Sequence, residues 1–491
     1  MKSVDVDMTE GDHYVANMEY QLLWKTRDEK IKRSATDAAF LIIFGLLTVL
    51  WIGIGIHGFT NGDGIPTEVT IQVEKWMIQN KIMEALSYSK GACFGFIWFA
   101  ALLIALFFIM VRWVTKFTIF ATLVVDGLGC LFVSYSFLMT RVFLIFMLSL
   151  TKWLILGVTI YALKKVGTKT VCKVLQDACK TMICFPSSLL IVLLELAIQV
   201  GVVAFTIGAT VYLLFIRIST VRVEDESDEY SYLRRFGIET YRQEVVVNPP
   251  TYVRILLLVL IGTSLWITQF VGTFRSMLLH GMFSHWYRAT DKKNISSTVG
   301  LRCLATTSRY HMGTVAFSCT IFAIIPMIGA LFNSANGLAK LIRKRPSSLC
   351  ALWFALVQSL SNASIMCISY GTSLCQSTKD GLQLVMRNPL KYIAVHAISY
   401  WVIFYGLVTI LLIATGASYL YFVNQIIVDP NNFEQIQSFI FAPLIVVIIS
   451  SSILAAMLIV ILKNAVEAVT ICFFEESNLT KTGLEDADHE M

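Results

Sequence analysis

Charge is scarce in this chain. Asp, Glu, Lys and Arg make up 15% of its 491 residues, where soluble domains carry about 25%. That shortage excludes a solvated globular surface over most of the length. Cysteine is not placed for cross-linking: eleven are present, but the polar stretches 58–91 and 216–252 hold none, and no C-x-x-C occurs. Neither a disulfide framework nor a structural zinc site is expected. The seven histidines are scattered, and P-loop, H-E-x-x-H and G-x-S-x-G motifs are missing. No cofactor or metal is therefore expected. No secretory signal precedes the first apolar run, so the first span is expected to serve as its own targeting signal.

Apolar sequence is what the chain has in quantity, at 56% of residues. Runs such as "AAFLIIFGLLTVLWIGIGI" (38–56) and "AALLIALFFIMV" (100–111) carry no charge. About 20 apolar residues cross a bilayer as a helix. The fold class read from this pattern is an all-α, polytopic helical membrane protein with about ten transmembrane helices. The spans fall at 37–57, 93–112, 117–138, 142–163, 187–213, 253–277, 313–333, 349–371, 395–422 and 440–470. One of them is expected to be broken or re-entrant near 361–376. The organisation expected is a cytoplasmic segment 1–36, a transmembrane domain 37–471 and a cytoplasmic tail 472–491.

Basic residues near span ends mark the cytoplasmic side. Lys25, Arg27, Lys30, Lys32 and Arg33 precede span one, and Lys164, Lys165, Lys169, Lys173 and Lys180 follow span four. Both termini are then expected inside, with 58–91, 216–252 and 423–439 outside. The net charge of +6 is absorbed by this bias and asks for no nucleic-acid partner. "LAKLIRKRPSS" (338–348) breaks the rule by placing four bases where alternation requires the outside. "GIGIHG" (53–58) spells G-x-G-x-x-G, but a dinucleotide site needs a strand before it and a helix after it. Here an apolar run precedes it, so its glycines are read as packing or helix-end residues.

The stretch "NASIMCISYG" (362–371), with "SLCQSTKDG" (373–381) and "LVMRN" (384–388) after it, resembles the C-terminal signature of the choline transporter-like family. Three other places agree. "RSATD" (33–37) looks like the family's R-S-C-T-D entry to span one, and "GD" at 62–63 like the G-D after it. "RYHMGTVAFS" (309–318) is similar to its R-Y-H-x-G-[ST]-x-A-F-G, and "CFFEES" (472–477) to its C-F-x-x-D end. The departures are Ala35 for the motif's Cys, Ser318 for its last Gly, and only about 35 residues between spans one and two where metazoan members often carry a large cysteine-bearing domain.

The resemblance implies transport of choline or a related organic cation such as ethanolamine by a multi-pass protein of the plasma membrane, with membrane lipid as its surroundings. A quaternary ammonium donates no hydrogen bond, so aromatic faces must hold it. Trp266, Gln269 and Phe270 lie on one helical face and match the family's W-x-x-[NQ]-[WF] by position. Lipid-facing or packing aromatics are the alternative. Asn362 and Tyr370 on the polar stretch complete the candidate substrate set.

Asp126, Glu195 and Glu467 lie within apolar runs, where an acid is costly and usually functional. They are candidate coupling or counter-ion groups. Glu467 also has Lys463 at i−4, the arrangement of a simple helical pair. Asn362, Ser364 and Ser369 are expected to supply partners around a helix that Gly371 breaks. Leu382, Val385 and Met386 would then lie along the inner interface before Arg387 and Pro389. A purely structural turn is the alternative.

Two other function classes stay open at this point. One is a non-transporting scaffold or receptor that keeps the transporter fold. The other, an enzyme of choline-lipid synthesis, needs a D-G-x-x-A-R type acidic cluster that the sequence lacks, so no catalytic residue is assigned.

Overall fold

Long apolar runs become helices in lipid because a helix satisfies every backbone N–H and C=O within one segment. The computed structural model describes residues 33–62, 82–140, 143–214, 216, 219–224, 241–246, 250–292, 294–296, 298–321, 361–426 and 433–490. Among them the fold is all-α apart from one short strand pair. The helices are α1 (Ala38–Asn61), α2 (Ile82–Trp113), α3 (Thr115–Thr140), α4 (Phe143–Val166), α5 (Thr168–Cys184) and α6 (Ser187–Leu214). After the strands come α7 (Thr251–Arg288), α8 (Val299–Tyr310), α9 (Met312–Ile321), α10 (361–370), α11 (Leu374–Arg387), α12 (Pro389–Ile426) and α13 (Phe433–Glu490). Strands β1 (Ser219–Glu224) and β2 (Tyr241–Val246) pair antiparallel, Ser219 opposite Val246.

Seven helices among the described residues are long and apolar enough to cross a membrane: α1, α2, α3, α6, α7, α12 and α13. They coincide with expected spans one, two, three, five, six, nine and ten. Span four is the 24-residue α4. Spans seven and eight are described only in part, as α9 and α10, and the basic stretch 338–348 lies outside the described residues. The outer faces suit lipid: Ile42, Leu46 and Val49 form a stripe along α1 and are each about two-thirds exposed.

The basic segment after α4 is a helix rather than a loop. Val171, Val174, Leu175 and Ala178 of α5 are buried while Lys169, Lys173 and Lys180 are exposed. That pattern lays a helix along the bundle end with its lysines toward water. Helix α13 runs unbroken past residue 471, and Cys472, Phe474, Glu475 and Glu476 pack inside the bundle. Within "GIGIHG", Gly55 meets α6 so closely that a Cβ there would lie 2.2 Å from the Phe205 ring.

Contacts fix the relative directions of the helices. Asp37 meets Thr314 and Phe40 stacks on Phe317, so α1 and α9 run parallel. Phe44 stacks on Phe270, and Trp51 shares a cluster with Leu260 and Val253, which makes α1 antiparallel to α7. Cys93 meets Pro443 and Ile104 packs with Ala455, so α2 is parallel to α13. In α12, Phe422 joins Cys93 and Ile410 joins Ile104, so it opposes both. These directions are the ones that alternation over ten spans assigns to spans one, seven and nine against two, six and ten. The main core lies between α5, α7, α12 and α13, and a second cluster joins α1, α7, α9 and α10.

Candidate functional site

Three helix segments are buried nearly all round: 277–287 of α7, 361–370 of α10 and 461–476 of α13, with Lys463 the main exposed exception. A helix enclosed on every side belongs to the centre of a bundle, and its polar residues must then find partners within the protein. These do so in two rungs.

The first rung is built on His280, which is fully buried. Its Nε2 lies 3.3 Å from the Glu467 carboxylate and its Nδ1 2.7 Å from the Ser364 hydroxyl. Ser361 donates to the same Glu467 oxygen at 2.6 Å. Nε2–H must be the donor to Glu467. The Ser364 hydroxyl then either donates to a neutral ring at Nδ1 or accepts from a doubly protonated one. Lys463 stands 3.9 Å from the other carboxylate oxygen.

The second rung centres on Glu475. Arg288 reaches it at 3.0 Å and also donates to Ser369 at 2.7 Å, while the Tyr370 hydroxyl donates to it at 2.7 Å. Tyr287 donates to the neighbouring Glu476 at 2.5 Å.

From His280 to Arg288 and from Glu467 to Glu475 is eight residues in each helix, about 12 Å of rise at 1.5 Å per residue. The pairs match in order, so α7 and α13 run parallel and in register, and α10 runs with them.

Helix α10 ends as the sequence suggested. Gly371 takes φ +71°, residues 371–373 are non-helical, and α11 starts at Leu374. A left-handed φ of that kind suits glycine because no Cβ meets the backbone. Of the expected interfacial residues, Leu382 and Met386 are exposed and Val385 packs partly inside.

The N–H of Leu374 donates to the Asp37 carboxylate at 3.1 Å, and Thr314 donates to the same oxygen at 3.0 Å. Thr36 meets Thr314 at 2.6 Å, and its N–H donates to the Tyr310 carbonyl at 3.0 Å. Gly313 lies against this corner: a Cβ there would come 2.4 Å from the carbonyl oxygens of Thr36 and Asp37. Three motif stretches far apart in sequence, 33–37, 309–318 and 371–381, therefore meet at one junction. His311, in the turn between α8 and α9, is buried there, and burial pushes its pKa down to about 4.

The candidate residues fall into separate groups. Trp266 and Phe270 share one cluster with Phe40, Phe44, Ala363 and Cys367. The Trp266 indole N–H points at the Cys319 sulfur, 2.9 Å away, and Phe270 stacks on Phe44 at 4.0 Å. Gln269, next to Phe270 on α7, is exposed and outside this cluster. Asn362 donates to the Tyr392 hydroxyl at 2.9 Å, and its own carbonyl oxygen is buried with no donor among the described residues. His396 stacks on Tyr392, ring centroids 4.2 Å apart, and its Nε2 is likewise buried without a partner among the described residues. Tyr370 belongs to the second rung and Glu467 to the first.

Glu195 stands apart, 3.0 Å from Arg275 and receiving Gln199 at 3.0 Å. Asp126 is held by Lys152 at 3.0 Å and by the Tyr405 hydroxyl. Sequence reasoning missed His280, Arg288, Glu475 and the Asp37 junction. The available signal was a histidine inside "MLLHGMFSHW", a run otherwise apolar enough to be buried.

A sequence model of the family described as plasma-membrane choline transporter matches residues 145–478. The match includes both rungs, α9 to α11 and the aromatic cluster of α7. Among curated proteins, the chain is 27% identical over 240 residues to choline transporter-like 2 of Drosophila melanogaster, covering 47% of this chain and 29% of that protein. It is 28% identical over 268 residues to choline transporter-like 2 of Anopheles gambiae, 51% of this chain and 32% of the relative. Choline transporter-like protein 5 of Macaca fascicularis is 28% identical over 222 residues, 43% of this chain and 31% of the relative. The matched stretch thus spans under a third of each relative's length.

Proposed function

The chain belongs to the plasma-membrane choline transporter family, and on that premise we propose that it carries choline or a related organic cation such as ethanolamine across a membrane. The family match over 145–478 is the observation that carries this reading. The chemistry of the core supports it. Choline and ethanolamine both bear a cationic nitrogen and a hydroxyl. The buried Asn362 carbonyl oxygen, to which nothing among the described residues donates, suits a hydroxyl, and Glu467 lies in the same three-helix core as a counter-charge. Trp266 and Phe270 offer the aromatic faces a quaternary ammonium needs. Tyr370 and Gln269 complete the set, and the break at 371–373 gives α10 and α11 a place to move. Among the acids, Glu467 is assigned the counter-ion role in the substrate core, and Asp126 and Glu195 act in the surrounding helices. The proposal places both termini in the cytoplasm and the protein in the plasma membrane.

Uptake of radiolabelled choline into proteoliposomes tests the proposal, with Trp266 as the sharpest position. A desolvated cation–π contact is worth up to about 2 kcal/mol, roughly thirtyfold in affinity. Trp266→Leu should therefore raise the apparent KM for choline by up to that factor, and Trp266→Phe should fall between. Equal kinetics for all three proteins at matched incorporation remove Trp266 from the site. No uptake above empty liposomes by the parent protein favours a second reading, a non-transporting scaffold or receptor on the same fold. The short coverage of each relative's length is the observation behind that reading.

A further inference from the structure

Away from the core, the wing made by α3, α4 and α12 already holds a cation. Asp126 of α3 is buried, and Lys152 reaches it from α4 with Nζ 3.0 Å from the carboxylate. The Tyr405 hydroxyl of α12 donates to the same carboxylate oxygen, and Nζ lies 3.4 Å from that hydroxyl. Trp401 presents its ring 5.7 Å from Nζ and stacks on Tyr405, centroids 5.6 Å apart. A carboxylate, a phenol oxygen and an indole face around one ammonium are the groups that recognise such an ion anywhere. Gly129, one turn beyond Asp126, leaves room beside it: a Cβ there would lie 3.3 Å from Nζ.

The two halves of this arrangement differ in stiffness. Asp126, Tyr405 and Trp401 have short or planar side chains anchored on packed helices. Lys152 reaches in on a flexible four-carbon stem, and its side chain is 31% exposed against 3% for Asp126. The receiving groups are thus the shorter and stiffer side chains, and the ammonium sits at the end of the longer one.

We propose that Asp126, Tyr405 and Trp401 form a binding site for a primary alkylammonium cation, filled by Lys152 as a tethered ligand whose place a free alkylammonium takes when the lysine side chain is removed. The class is primary rather than quaternary because Nζ meets Asp126 and Tyr405 at hydrogen-bond distances, and a quaternary nitrogen has no proton to offer them. No residue of this niche takes part in either rung of the core.

Chemical rescue tests it. Lys152→Ala removes the ammonium together with its stem and leaves the receiving groups in place. Purified Lys152→Ala should melt several degrees below the parent. Millimolar ethylammonium chloride should restore most of that loss, tetramethylammonium chloride at equal concentration should not, and the parent should respond to neither. The double variant Asp126→Asn with Lys152→Ala should lose the response. Rescue by both salts alike, rescue by neither, or an undiminished response in the double variant overturns the proposal. Should Lys152→Ala resist purification, the amount of folded protein recovered from cells grown with each salt replaces the melting temperature, and the same outcomes support or overturn the site. Transport is not read in this experiment, so its outcome leaves the choline proposal where it stood.

Discussion

Glu467 and Asp126 are both carboxylates buried in the helical bundle, at 3% and 2% exposure, yet they are held in different ways. Glu467 is gripped by short side chains on two neighbouring helices, His280 on α7 and Ser361 on α10. Its lysine, Lys463, is half exposed and 3.9 Å away. Asp126 depends on one long lysine and a tyrosine at the rim of the bundle. The core therefore fixes its acid by geometry that no single rotamer change can relieve, whereas the wing fixes its acid with a side chain that can leave.

Truncation separates the two most strongly. Removing one partner of a buried, hydrogen-bonded charge pair costs about 3–5 kcal/mol. Glu467→Ala, which strands His280 and Ser361 in the core, should approach that range in thermal unfolding. Glu467→Gln, which still accepts a hydrogen bond, should lose less. Asp126→Ala should lose less than half as much as Glu467→Ala, because Lys152, whose side chain is 31% exposed, is less enclosed than the fully buried His280. Equal losses from the two alanine variants would abolish the contrast between core and wing.

Acid should act on the junction where His311 is buried. The folded pKa of His311, about 4, lies below the ordinary value of 6.5 because of burial. Protonation thus favours the unfolded chain, so the contribution is full above pH 6.5 and is lost as pH falls from 6.5 toward 4. At about 1.4 kcal/mol per unit, the loss reaches up to about 3 kcal/mol. A melting series across that window should flatten in His311→Gln. Superimposable profiles for the variant and the parent would assign the acid sensitivity to other groups.

The smallest effect belongs to a pair outside both regions. Lys180 and Asp177 are 2.8 Å apart on α5, with the lysine side chain 49% exposed. Exposed pairs of this kind contribute about 0.2–1 kcal/mol. Lys180→Ala should shift unfolding by no more than that, and a larger shift would mean that α5 holds the core more tightly than its surface contacts indicate.

Much of the fold was legible in the sequence because its signals are local. Apolar length alone locates the seven long helices, and Gly371 with the polar stretch before it locates the break between α10 and α11. The pattern at 374–387 marks an amphipathic helix, and Leu382 and Met386 are indeed exposed. The expected partners Asn362, Ser364 and Ser369 all make side-chain hydrogen bonds within the core. What stayed hidden was the choice of partner. His280 and Glu467 are 187 residues apart, and Asp37 and Leu374 are 337 apart. No periodicity within one helix carries information over such separations. Arg288 lay beyond the expected span end at 277, and α7 runs on eleven residues to include it. The basic segment 168–184 was read by charge alone, and charge does not reveal the apolar face that makes α5 a helix.

The equal spacing of the two rungs limits how the bundle can deform. Sliding α7 past α13 by one helical turn, about 5.4 Å, would pull both rungs out of line together, with no intermediate position in which one holds while the other exchanges. Axial slip is therefore a stiff coordinate, and α7, α10 and the inner half of α13 behave mechanically as a single beam. The three-residue break that begins at Gly371, and the junction of α1 with α9, lie outside this constraint. The Asp37 carboxylate, tied to both Thr314 and Leu374, joins the two.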